Sequence, residues 1–126
     1  MKKFVIIILT TLLTFGCFAQ EFVPFNLPYY EPITPTVEQQ NEMQDYAGYI
    51  EWFVEKRYDW EEVWDSATFI IATDAIKRLS KSAIEQNILT LASKLHNLSD
   101  YELIIAYSYA EVYLGKYIYK SPNFVN

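Results

Sequence analysis

The sequence predicts an all-α protein: a small four-helix up-down bundle preceded by an extended arm rich in proline and aromatic residues. Three observations lead there. Four capping signatures are spaced along residues 36–102, each a Ser, Thr or Asp followed three positions later by Glu or Gln. Apolar residues recur at helical spacing after each of them. The prolines are concentrated before the first signature and after the last helix, and helix interiors exclude proline.

Residues 1–19 read as a secretory signal. Lys2 and Lys3 form the charged start, and Phe4 to Phe15 is apolar apart from three threonines. A stretch this short is a poor membrane span. A cut after Ala19 leaves Cys17 and Ala19 at the two positions a signal peptidase reads, and predicts a periplasmic or secreted protein. The alternative is a cut before Cys17, which follows Gly16, with Cys17 lipidated and the protein held on the envelope. An uncleaved anchor is the third possibility. Cys17 is the only cysteine, so a cut after Ala19 removes disulfide, thiol and Cys-zinc chemistry together.

Residues 20–35 carry Pro24, Pro28, Pro32 and Pro35 among Phe22, Phe25, Tyr29 and Tyr30. Proline at that spacing favours extended chain, and the rings suit an arm that lies across the domain. The helical domain is expected over 36–120. Thr36 with Gln39 opens helix one, about 37–57, with Met43, Ala47, Ile50 and Val54 in line. Asp59 with Glu62 opens helix two, about 60–79, lining up Trp60, Trp64, Ala67, Ile71 and Ala75. Residues 68–73 are rich in β-branched side chains, and the continuing stripe assigns them to helix. Ser82 with Glu85 opens helix three, about 83–96, through Ile84, Ile88, Leu91 and Leu95, with Asn97 as a left-handed C-cap. Ser99 with Glu102 opens helix four, about 100–119, which is apolar on most sides and therefore central. Ser121-Pro122 ends it and leaves residues 121–126 as a tail.

Charge is polarised. Residues 21–65 hold eleven acids and two bases, whereas residues 66–126 hold five acids and six bases. After residue 19 sixteen acids face eight bases, a net charge near −8. Such a surface repels nucleic acid and anionic lipid, so membrane contact is expected only through a lipidated Cys17. The one histidine, His96, excludes a His-rich zinc site, and no calcium loop, phosphate loop or nucleophile elbow is present. These features imply no metal, no cofactor and no enzyme.

The leading expectation is a protein-binding module, inhibitor-like or immunity-like or an envelope accessory, with a basic partner. Its candidate interface is the tyrosine stripe Tyr109, Tyr113 and Tyr117 and the acids Glu61, Glu62 and Asp65. The alternative is a module for envelope glycan or peptidoglycan, using Trp52, Trp60 and Trp64 as flat faces beside carboxylates. A third reading, weak glycoside hydrolysis by Glu61, Glu62 or Asp65, requires two carboxyls opposed across a cleft. The competing explanation makes Trp60 and Trp64 core residues at i and i+4, with the acids on a wet helix start.

Overall fold

In the computed structural model, residues 27–116 are described, and all their regular structure is helical. The predicted signal, Cys17, residues 20–26 of the arm, Tyr117 and the tail 121–126 lie outside the described residues. Six α-helices follow one another: α1 Val37–Asn41, α2 Met43–Arg57, α3 Trp60–Trp64, α4 Ala67–Ile76, α5 Lys81–Ser93 and α6 Asp100–Leu114. A 3-10 turn, Leu95–Asn97, links α5 to α6. Helix α6 packs against α2, α4 and α5, and α2 also packs against α5.

Two of the four expected starts form complete capping boxes. The Thr36 hydroxyl accepts the Gln39 N–H at 3.1 Å while the Gln39 side chain accepts the Thr36 N–H at 2.9 Å. Ser99 and Glu102 do the same at the start of α6, at 3.2 and 2.9 Å. These bonds satisfy donors that the first helical turn leaves orphaned. The Ser99 backbone N–H is also the main reason the Glu102 carboxyl sits below its usual range.

The helix boundaries correct the sequence reading in five places. Helix one is broken at Glu42, whose backbone leaves the helical region at φ −102° and ψ 11°. Helix two is broken at Asp65, because the Ser66 hydroxyl caps a new helix by accepting the Phe69 N–H at 3.2 Å. That restart rotates the buried stripe. Phe69, Ala72, Thr73 and Ile76 are buried, while Ala67 and Ile71, expected in the core, are exposed. Helix three begins one turn's fraction earlier, since Ser80 rather than Ser82 accepts the Ala83 N–H at 3.1 Å. It also ends at Ser93, so His96 and Asn97 belong to the 3-10 turn.

Helix four stops at Leu114, well before Ser121-Pro122, and Gly115 is the reason. Gly115 adopts φ 72°, the left-handed region that costs a side-chain-bearing residue most. Its N–H donates to Val112 O at 3.1 Å, and the next N–H, from Lys116, donates to Glu111 O at 3.0 Å. This pair of bonds closes a Schellman motif and turns Lys116 back toward α2.

One apolar core runs through all of this. Met43, Ala47, Ile50 and Val54 of α2 meet Ile88 and Leu91 of α5 and Ile105, Ala106 and Ala110 of α6. Trp64, Phe69 and Tyr107 add a tilted aromatic relay, with ring centres 5.1 and 5.7 Å apart. Aromatic pairs at this spacing contribute about 0.5–1.5 kcal/mol beyond the area they bury. Residues 27–36 precede the helices without regular structure and lie against them. Tyr30 is buried, with its phenol 3.4 Å from Glu102 Oε2. The Ile33 N–H donates to Thr90 Oγ1 of α5 at 2.8 Å. The neighbouring Tyr29 points outward and is 85% exposed.

Candidate functional site

The outer face of α2 builds a groove. Tyr49, Trp52, Phe53 and Lys56 follow at i, i+3, i+4 and i+7, which is one helical stripe, and Arg57 completes it at the helix end. His96, on the 3-10 turn, forms the facing wall. The space between them is about 460 Å³, within the usual range for a small-ligand site, roughly 300–1,000 Å³. Trp52 is 53% exposed, an unusual position for the largest apolar side chain.

The side chains of this groove hold one another in place. The Tyr49 and Trp52 rings stack at 6.1 Å and 20°. The Lys56 ammonium sits 4.5 Å over the Trp52 ring, and the Arg57 guanidinium 4.2 Å over Phe53. The His96 ring meets Phe53 edge-on, with centroids 5.0 Å apart at 83°, and its Nε2 lies 3.2 Å from the Tyr49 hydroxyl. Both cations also suit the negative end of the α2 dipole. No acidic residue lines the groove, and neither Lys56 nor Arg57 forms an ion pair among the described residues.

A second polar cluster lies roughly 100° around α2, one residue back along the stripe. Glu51 and Glu55 of α2 meet Glu111 of α6, with one carboxylate oxygen of each inside a 4.8 Å span. Glu111 is fully buried, a rare state for a carboxylate. Lys116 donates to both Glu51 oxygens, at 2.9 and 3.0 Å, and that bond is the main cause holding its ammonium pKa above the usual value. On the inner side the Trp64 indole N–H donates to the Tyr107 hydroxyl at 2.9 Å, which donates to Glu55 at 2.9 Å. Burial first, then the nearby Glu111 charge, pushes the Tyr107 phenol up. Three carboxylates in this geometry offer hard oxygen ligands for a cation. The Lys116 ammonium already supplies one positive charge there.

The residues singled out in the sequence scatter. Tyr109 is only 3% exposed, with its phenol pushed up to about 12 by burial. Tyr113 is half-buried against the core. Glu61, Glu62 and Asp65 are exposed, on α3 and at its end. Trp52 opens onto the groove, Trp60 is half-buried against the core, and Trp64 is 2% exposed within it. The three indoles therefore do not share a surface.

Two groups were missed. Trp52 was singled out without its neighbours at helical spacing, Tyr49, Phe53, Lys56 and Arg57, which the sequence displays. The contribution of His96 depends on the turn after α5 and has no local signal. The carboxylates did leave a trace: Glu51 and Glu55 are one turn apart, and Glu111 interrupts an otherwise apolar helix. Among the described residues no helix is long and apolar enough to cross a membrane. The chain matches no family model, no curated protein and no solved structure.

Proposed function

We propose that this chain is a binding protein rather than an enzyme, and that it takes a glycan in the groove at Trp52. The observation that carries this reading is the exposed Trp52 ring, stacked on Tyr49 beside a cavity of ligand size. A pyranose ring has a flat C–H face, which stacks on exposed aromatic rings, while its hydroxyls seek polar groups at the rim. Tyr49, His96, Lys56 and Arg57 supply that rim. We take the protein to be exported, on the strength of residues 1–19, either free after a cut behind Ala19 or lipidated at Cys17. Envelope glycan is then the polymer within reach. The supporting architecture is taken as a four-helix up-down bundle with two of its helices interrupted, at Glu42 and at Asp65–Ser66.

Indole fluorescence tests the reading directly. Trp52 is the most exposed of the three tryptophans, so its emission should shift when soluble peptidoglycan fragments or chitooligosaccharides are added. Trp52→Ala should remove the response and weaken binding at least tenfold. Unchanged affinity in that variant would refute the assignment.

A second reading keeps the protein partner. Asp59, Glu61, Glu62 and Asp65 are exposed together around the short helix α3, and this concentration of charge suits a basic surface. Tyr113 and Tyr117 remain candidates for the same contact. Capture of a cationic partner that is lost on raising salt, and lost with Glu61→Lys, would favour it.

A further inference from the structure

We propose that the groove selects a saccharide bearing a carboxylate, with Lys56 and Arg57 as the residues that read the anion. This rests on the reading of the Trp52 groove as a glycan site. The argument starts from charge. The chain carries sixteen acids against ten bases, yet the described residues that line the groove include a lysine, an arginine, a histidine and no acid. A local reversal of sign on a negative protein marks where an anion is favoured.

The cations are held ready. Long basic side chains normally lose rotamer freedom when they bind, which weakens exposed pairs. Here the Arg57 guanidinium rests on Phe53 at 4.2 Å and the Lys56 ammonium on Trp52 at 4.5 Å, so part of that ordering is already in place. The guanidinium fork matches a carboxylate in bidentate geometry, and the ammonium adds a point charge beside it. The platform argues for a sugar carrying that carboxylate. Trp52, 53% exposed beside the cavity and stacked on Tyr49 at 6.1 Å and 20°, offers an aromatic wall for one pyranose. Anion and platform are adjacent because Lys56 is one turn beyond Trp52 on the same stripe.

A matched pair of ligands tests this with the full chain. The disaccharide of N-acetylglucosamine and N-acetylmuramic acid differs from N,N′-diacetylchitobiose by a lactyl ether carrying a carboxylate. The acidic disaccharide should bind about tenfold more tightly at low salt, the scale of one charge-assisted contact. The Lys56→Gln, Arg57→Gln double variant should erase that preference, so that it binds the acidic and the neutral disaccharide with equal affinity. Both positions are exposed, and a circular dichroism spectrum matching the parent confirms that the variant folds. A hexuronate disaccharide separates the sources of the carboxylate. If it binds as tightly, the acid is read wherever it hangs; if only the muramyl sugar gains, its attachment point is read too, and both outcomes support the proposal. Equal affinity for the neutral and acidic sugars overturns the selection for charge and leaves the groove as a glycan site. Binding of neither overturns both readings. A nucleoside monophosphate that binds as well as or better than the acidic sugar overturns the saccharide assignment.

Discussion

Tyr107 is the residue on which the inner and outer parts of the molecule meet. Its hydroxyl accepts from the buried Trp64 indole and donates to Glu55, so it joins the aromatic core to the carboxylate cluster. Tyr107→Phe keeps the ring and removes only that oxygen. The Trp64 N–H is then left inside the core without this acceptor, at a cost of about 2 kcal/mol. Urea unfolding should show that loss, with near-native circular dichroism. Little of this was legible in the sequence. Tyr107 stood among several tyrosines of helix four, and nothing local distinguishes one that crosses the core from one that faces solvent. Trp64 was easier, because its partner at i−4, Trp60, and the cap at Asp59 fix which way it points. Lys56 and Arg57 read from sequence as an ordinary basic helix end. Only the fold shows that their cationic heads rest on the Trp52 and Phe53 rings.

At the scale of helices, capping chemistry carried the prediction and also misled it. Thr36 and Ser99 form the expected boxes because the glutamine or glutamate three positions on can reach back. At the start of α5 two serines compete, and the sequence gives Ser82 the better partner in Glu85. The helix instead starts at Ser80, whose hydroxyl accepts the Ala83 N–H, and Ser82 stays exposed in the first turn. Ile84, Ile88 and Leu91 face inward from either start, so the apolar stripe does not tell the two caps apart. Ser80→Ala should therefore cost about 1 kcal/mol and Ser82→Ala close to nothing in thermal unfolding. The reverse order would restore the boundary read from sequence. The break at Glu42 is harder to foresee, because Gln40, Met43 and Gln44 around it are good helix formers. At Asp65 the signal is Ser66, a capping residue set within an apolar stripe that runs on through Ala67, Ile71 and Ala75.

For the whole molecule, the all-helical class was legible because class depends on periodicity and caps, which are local. The groove was not, since it needs a wall from the turn after α5. The same tertiary packing makes an alkaline transition. Burial raises the phenols of Tyr30, Tyr107 and Tyr109, the last to about 12, against an ordinary tyrosine value near 10. Groups whose folded pKa is raised stabilise the fold fully below the unfolded value and lose that contribution as pH rises through the folded one. Lys116 acts in the same direction, because Glu51 raises it. Urea midpoints should therefore show no loss from these groups up to about pH 10 and fall steadily above it. Phenolate absorbance should show an exposed set titrating first and the buried set only with unfolding.

The bond from Ile33 to Thr90 has a consequence of a different kind. Ile33 belongs to no helix and its side chain is exposed, so its amide would ordinarily exchange with solvent deuterium within moments. Donation to a buried hydroxyl on α5 turns that proton into a clock for the release of residues 27–36 from the body. Its lifetime should exceed those of the neighbouring non-helical amides in hydrogen-exchange NMR, and Thr90→Val should shorten it without changing the amides of α6. An Ile33 amide that exchanges as fast in the parent as in Thr90→Val would mean that the clasp opens freely. The same clock can be read with a glycan added, which measures whether occupancy of the groove is felt next door, since Tyr49 lines both the groove and the hollow beside Ile33.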